Sequence, residues 1–199
     1  MTAQADGRST SVLDLFSATG AYLNGHFLLS SGLHSPEYLQ CALVLRYPQH
    51  AERLGRDLAA RLLSLAPGGV DLVVAPAMGG LIIGHEVARA MGTPFLFTER
   101  DGSGAMVLRR GFTIPAGSKT VVIEDVVTTG GSFREVVEII RAAGATVEAT
   151  GSIIDRSGGQ AQVGAPRVAL HTMAVQSWTP AECPLCRDGS AAVKPGSRK

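Results

Sequence analysis

The chain has 199 residues, with eighteen basic side chains nearly cancelling seventeen acidic ones, which excludes a generally basic nucleic-acid-binding surface. Apolar residues make up 45% and aromatics 5%, with 24 glycines, a mix suited to one α/β domain packed on aliphatic side chains. No apolar run reaches membrane-spanning length, Met1–Thr10 lacks a secretory apolar stretch, and the cysteine count is odd. A membrane protein and a disulfide framework are therefore not expected, and the cytoplasm is the expected compartment.

Residues 1–10 are expected to form a loose tail. Val12, Leu13, Leu15 and Phe16 predict a short helix closed near Gly20, and His26–Leu29 and Tyr38–Cys41 predict two strands around a Ser/Gly/Pro-rich turn. Pro48 suits the first position of a helix carrying Leu54, Leu58, Leu62 and Leu65 at helical spacing, stopped by Pro67-Gly68-Gly69. Strand and helix then alternate. Asp71–Ala75 predicts a strand, Leu81–Met91 a helix capped by Gly92, and Pro94–Thr98 a strand. Met106–Leu108 with Phe112–Ile114 predicts a small ribbon, and Lys119–Glu124 a strand buried on both faces. Ser132–Ala143 predicts a helix with Ser132 and Glu135 at capping-box spacing and Gly144 closing it. Thr146–Ile154 and Arg167–Ala174 predict late strands, and residues 188–199 a mobile tail. This alternation implies a parallel sheet with helices flanking it.

The informative stretch is Val121-Val122-Ile123-Glu124-Asp125-Val126-Val127-Thr128-Thr129-Gly130-Gly131-Ser132. A buried strand runs into two adjacent carboxylates, then into a loop of hydroxyls and glycines, then into a helix. Ligands of open α/β sheets bind at such carboxyl ends of strands. The loop suits a phosphate, because glycines admit close backbone approach and amides at a helix start point at an anion. Carboxylates beside a phosphate cradle make sense when a sugar lies between them, since they accept hydrogen bonds from vicinal hydroxyls. These residues together ask for a ribose 5-phosphate. Read as structure alone, the carboxylates are a solvated strand end and the glycines are punctuation. Neither a Gly-x-x-x-x-Gly-Lys loop nor a Gly-x-Gly-x-x-Gly turn occurs at a strand–helix junction.

The stretch resembles the phosphoribosyl-pyrophosphate signature of the type I phosphoribosyltransferases, and the resemblance runs from about Leu13 to about Arg187. It implies an α/β fold, with a parallel-sheet core at residues 48–154 and a small hood built from 11–47 and 155–187. It also implies that Glu124 and Asp125 bind the ribose hydroxyls and stabilise an oxocarbenium-like transition state. Val126 and Val127, with Thr128 through Ser132 (Thr129, Gly130 and Gly131 included), would hold the 5-phosphate. Mg2+ would arrive with the pyrophosphate, held by substrate oxygens and water, with no metal site on the protein. Ala75-Pro76-Ala77-Met78-Gly79-Gly80 resembles the family's pyrophosphate loop, so Ala77, Met78, Gly79 and Gly80 would contact the leaving group, with Met78 standing where a lysine is common.

Three features resemble the orotate-specific branch. Phe27–Tyr38 is similar to its hood loop, which implies that Ser30, Ser31 and Gly32 meet the base, Ser30 replacing a common lysine. Asp155-Arg156 after a strand implies that Arg156, with Thr128, binds orotate, although by itself Arg156 reads equally as a surface arginine paired with Asp155. The third is the Glu182-Cys183-Pro184-Leu185-Cys186 segment. The family's mobile lid corresponds to Thr98–Ala105, which keeps Arg100 but lacks lysine and histidine. Arg100 is assigned to pyrophosphate and catalysis, acting in its own subunit or, as the resemblance to family homodimers allows, in the neighbouring one, with Arg109 and Arg110 as further sources of charge. The partners implied are phosphoribosyl pyrophosphate and orotate, and neither nucleic acid nor membrane. The alternatives are a purine or other base, and a non-catalytic regulator that senses phosphoribosyl pyrophosphate. Cys183-x-x-Cys186 has the spacing of half a zinc site. A metal-free turn is expected there; the alternative is a shared zinc using His171 or a partner chain. His26, His34, His50, His85 and His171 show no metal-ligand spacing and are given no catalytic role.

Overall fold

The structure is a computed structural model and describes residues 11–29 and 32–195. In chain order it contains α1 (Val12–Ala18), β1 (Tyr22–Leu28), β2 (His34–Leu39), α2 (Cys41–Leu45), α3 (Pro48–Leu65), β3 (Leu72–Pro76) and α4 (Gly80–Met91). There follow β4 (Phe95–Arg100), β5 (Met106–Leu108), β6 (Lys119–Val127), α5 (Gly131–Ala142), β7 (Thr146–Asp155), β8 (Arg167–Thr172) and α6 (Pro184–Arg187). Among the described residues no helix is long and apolar enough to cross a membrane.

The main sheet has the order β5-β4-β3-β6-β7-β8. All its pairings are parallel except β4 with β5, so the sheet is mixed rather than purely parallel. The expected ribbon differs accordingly. Met106–Leu108 pairs back on β4, and Phe112–Ile114 is not a strand. Alternation along the central strands feeds two cores. Val73, Ala75, Val121 and Ile123 face the layer made by α1 to α4, while Leu72, Val74 and Val122 face α5. On the first face α3 and α4 pack closely at Gly55, where a Cβ would come within 2.6 Å of Glu86 Cβ.

Several boundaries depart from expectation for local reasons. Cys41 opens the short α2 instead of ending a strand. The capping box of α5 does not form. Gly130 is the N-cap, in a left-handed conformation at φ +76°, and Ser132 lies one residue inside the helix. Gly144 does adopt positive φ after the helix.

β1 and β2 form a separate antiparallel hairpin. Residues from the C-terminal side dock on it. His34 and Trp178 exchange backbone hydrogen bonds of 2.8 and 3.0 Å, and Leu28 N–H donates to Val193 O at 2.8 Å. Val193 N–H donates to His26 O at 2.8 Å, so the start of the expected mobile tail is held on the hairpin. Residues 1–10 and 196–199, the remainder of the expected tails, lie outside the described residues.

Candidate functional site

The chain moves from β3 to β4 on one side of the sheet and places β6 on the other side of β3. The loops leaving β3 and β6 therefore diverge and leave a crevice between them, the usual ligand position in such sheets. Gly79, in the first loop, lies so close to Asp125 at the end of β6 that a Cβ would collide with the carboxylate. A Cβ at Gly80 would lie 2.9 Å from Ile123 O, so both glycines are required by proximity. The Ala77–Met78 peptide is cis, and the Met78 side chain is 77% exposed.

Burial governs the carboxylates. It raises the Glu124 pKa to about 8, with the neighbouring Asp125 charge adding to the effect and the Ser132 hydrogen bond and Arg100 opposing it. Burial also raises the Asp125 pKa, although Val126 N–H donates to its Oδ1 at 2.8 Å. Arg100 sits across from Glu124 on β4. It forms an ion pair with Glu135 on α5 at 3.0 Å and donates to Gly104 O at 2.6 Å. The lid segment is a tight β4–β5 hairpin, its turn closed by Asp101, whose Oδ1 accepts from Ser103 N–H at 2.8 Å and Ala105 N–H at 3.1 Å. Arg110 is bound to Glu99 at 2.7 and 2.8 Å and stacks over Phe97, so its charge is already partnered.

Val126 and Val127 belong to β6 itself, paired with Ile154 and Asp155, and the Val127 side chain is core. The open loop therefore begins at Thr128, two residues later than expected. Thr128 and Thr129 are exposed, and the amides of Gly131 and Ser132 open α5, where a helix leaves its first N–H groups unpaired. Arg134 braces the loop by donating to Thr129 O at 2.8 Å and to Gln162 O at 2.6 Å.

A cavity of about 460 Å³ opens beside this loop. Its walls are Leu29, Leu33 and Tyr38 of the hairpin, Thr128, Thr129, Arg156 and Ser157 at the sheet edge, and Val175 and Ser177 from the late segment. A second hollow of about 370 Å³ shares Thr128, Thr129 and Ser157 and continues past Arg134 toward Gln162.

Arg156 is not a surface residue paired with Asp155. Asp155 is 2% exposed and pairs with Arg167 at 2.6 Å, while also accepting from Ser157 N–H at 2.8 Å and Gly159 N–H at 3.2 Å. Arg156 turns instead toward β2, where one Nη donates weakly to Ser35 Oγ and Glu37 O, both at 3.3 Å. Among the described residues its buried Nε has no hydrogen-bond partner; burial lowers its pKa, but an arginine stays cationic, so a guanidinium with unmet hydrogen-bonding capacity borders the cavity.

The base-side assignments are divided. Ser30 and Ser31 lie outside the described residues. Gly32 uses its N–H inside the turn, donating to Leu29 O at 2.9 Å, and does not line the cavity. Tyr38 does line it, although only its place in the hood segment marked it, and Val175 and Ser177 had no sequence signal. The metal expectation for the cysteines also changes. His26 and His34, unassigned by spacing, lie with Cys183 and Cys186, and all four candidate ligand atoms are within 4.8 Å of one another. His171 is not in this group.

Residues 46–180 match the family model for the phosphoribosyl transferase domain. The chain is 52% identical over 188 residues to an orotate phosphoribosyltransferase of Pelotomaculum thermopropionicum, covering 94% of this chain and 97% of that one. It is 52% identical over 187 residues to one from Heliobacterium modesticaldum, with 94% and 97% covered. The crystal structure of orotate phosphoribosyltransferase from Aeropyrum pernix matches with a TM-score of 0.67 at 26% identity, covering 81% of this chain and 93% of that one.

Proposed function

Because this chain belongs to the phosphoribosyltransferase family, we propose that it transfers the 5-phosphoribosyl group of phosphoribosyl pyrophosphate to orotate, releasing pyrophosphate and forming orotidine 5′-phosphate. One observation carries the choice of base: Arg156, half-buried and with its Nε unpartnered among the described residues, borders a cavity that adjoins the hydroxyl-rich loop after β6. A planar carboxylate-bearing base would complete its hydrogen bonds, with Thr128 beside it and Tyr38 supplying a wall. Ser30 and Ser31 are proposed as further base contacts.

Thr128 to Ser132 hold the 5-phosphate through hydroxyls and the first amides of α5. Asp125 and Glu124 accept the ribose hydroxyls. A base nitrogen attacks the anomeric carbon as the bond to the pyrophosphate oxygen breaks, and the two carboxyl groups lower the energy of the positive charge that develops on the sugar. The loop Ala77–Gly80 receives the leaving pyrophosphate through its backbone, and Arg100 moves from its ion pair with Glu135 toward it as the lid closes. Glu124 and Asp125 are hard oxygen donors beside the loop proposed for the leaving group. They fit a magnesium ion that brings most of its coordination with the substrate. A magnesium ion held there would supply positive charge to the leaving pyrophosphate. The hood comprises 11–47 and 155–187, and the family pattern supports a homodimer acting in the cytoplasm.

A spectrophotometric assay with phosphoribosyl pyrophosphate, magnesium and orotate, run in parallel with hypoxanthine, xanthine, guanine and uracil, tests the reading. Orotate is the base expected to be consumed. Asp125→Asn, which keeps an oxygen for Val126 N–H, is expected to lower kcat about 100-fold or more. Arg156→Lys is expected to raise KM for orotate about tenfold, leaving that for phosphoribosyl pyrophosphate nearly unchanged. Turnover of another base would overturn the substrate. Binding of phosphoribosyl pyrophosphate with no turnover of any base would overturn the enzymatic reading.

A further inference from the structure

We propose that His26, His34, Cys183 and Cys186 form a structural zinc site that pins the segment after β8 to the β1–β2 hairpin. The residues arrive from two directions. Leu28 pairs with His34 across the hairpin, and His26, in the irregular stretch between Asn24 and Phe27, brings its Nε2 to 2.8 Å from His34 Nδ1. Cys183 and Cys186 flank the first turn of α6 at C-x-x-C spacing, so both sulfurs point to one side.

The distances fit a tetrahedron. His26 Nε2 lies 3.5 Å from Cys183 Sγ and 3.8 Å from Cys186 Sγ, and Cys186 Sγ lies 3.3 Å from His34 Nδ1. Zinc–sulfur bonds of about 2.3 Å and zinc–nitrogen bonds of about 2.0–2.1 Å require edges of roughly 3.3 to 3.8 Å. Of the four edges these contacts give, the one between His26 Nε2 and His34 Nδ1, at 2.8 Å, is short by ~0.5 Å, and with all four ligand atoms within 4.8 Å of one another small side-chain rotations suffice to reach a common centre.

The chemistry around the site agrees. His26 Nδ1 lies 2.9 Å from Ser190 O, and a carbonyl only accepts, so Nδ1 carries the proton and Nε2 turns a lone pair toward the sulfurs. This is the outer hydrogen bond that metal-bound histidines make. Two thiolates and two neutral imidazoles cancel the charge of a zinc ion, which allows the group to sit where His26, His34 and Cys183 are buried. Cys186 is only partly buried and gives the ion a route in. With four protein ligands no coordination position is left for a substrate, so the role is structural. The backbone bonds of His34 with Trp178 and of His26 with Val193 then make the metal the centre of a three-segment brace. Trp178, held by this brace, directly follows Ser177, which with Val175 walls the cavity.

The test uses the full chain, purified without chelator and measured without substrates, so that it is independent of the catalytic reading. Elemental analysis is expected to give one zinc per chain. Replacement by cobalt(II) is expected to give the intense visible bands of a tetrahedral ion together with thiolate-to-cobalt charge transfer. Cys186→Ser, at the partly exposed position, is expected to lose stoichiometric metal and the charge-transfer intensity of one sulfur while remaining folded by circular dichroism. Stripping the unaltered protein with a chelator is expected to release two reactive thiols and lower its Tm, with re-addition of zinc restoring both. A folded, reduced chain that neither carries zinc nor gives the cobalt spectrum would overturn the proposal. So would a Cys183–Cys186 disulfide in freshly isolated protein, or thiols that react equally fast before and after chelator.

Discussion

Replacing Glu124 by glutamine isolates the cost of the buried carboxylate. Burial and the adjacent Asp125 raise the Glu124 pKa from its ordinary 4.5 to about 8. Between those values the folded protein keeps a proton that the unfolded chain has released. Stability contributed by the neutral form is therefore whole below about pH 4.5 and is lost as pH rises through about 8. At ~1.36 kcal/mol per pH unit, the interval sets a ceiling of ~5 kcal/mol on the stability lost. Glutamine keeps the shape of the side chain but cannot ionise. Urea unfolding at about pH 5, 7 and 9, at fixed protein concentration, should show the parent chain losing several kcal/mol relative to Glu124→Gln across that range. The larger part of that separation should develop between pH 5 and 7, about 2.5 kcal/mol, with about 1.4 kcal/mol more by pH 9, because the loss runs from the unfolded to the folded pKa and then levels off. Parallel pH profiles would refute the reasoning, because they would mean that Glu124 ionises as easily in the folded protein as in the unfolded chain.

Two further substitutions test the framework of the site. Gly130→Ala forces a side chain onto a residue at φ +76° and puts its Cβ 2.8 Å from Val163 Cγ1; urea midpoints should register a loss of about 1–3 kcal/mol. Arg167→Met leaves the Asp155 carboxylate, 2% exposed, without its cation, and should cost about 3–5 kcal/mol by the same measurement. Adding Asp155→Asn to Arg167→Met should recover part of that loss.

Much of the core was legible because its signals are local. Pro48 does open α3, Gly92 caps α4 in a left-handed conformation, and the apolar run from Lys119 lies between two layers. The glycine-hydroxyl loop after β6 lies where the strand–loop–helix pattern put it. Local signals misled where another residue competes. Ser132 has capping-box spacing, but Gly130, left-handed at φ +76°, takes the cap position two residues earlier, so Ser132 falls inside the helix. Asp155 and Arg156 are adjacent in sequence and point apart, because Arg167 from the neighbouring β8 reaches the carboxylate first. The histidines failed for a different reason. His26 and His34 are eight residues apart, a spacing typical of no metal motif, and only the hairpin register brings them together. The cysteines that join them lie about 150 residues further on, since His34 and Cys186 are separated by 152 positions.

The hairpin's reliance on a distant segment fixes the order in which the cavity can be made. His26 and Ser190, which hydrogen-bond across the brace, are 164 residues apart in the chain. On the ribosome the sheet can accumulate from β3 through β7 while the hairpin waits without its later strand partners. At that stage both carboxylates and the phosphate loop exist, but Val175, Ser177, Trp178 and Val193 have not arrived, and Arg156 faces open water. Val175 and Ser177, with the brace behind them in sequence, complete the cavity wall late, so a nascent chain holds the reactive groups well before it can enclose a substrate around them.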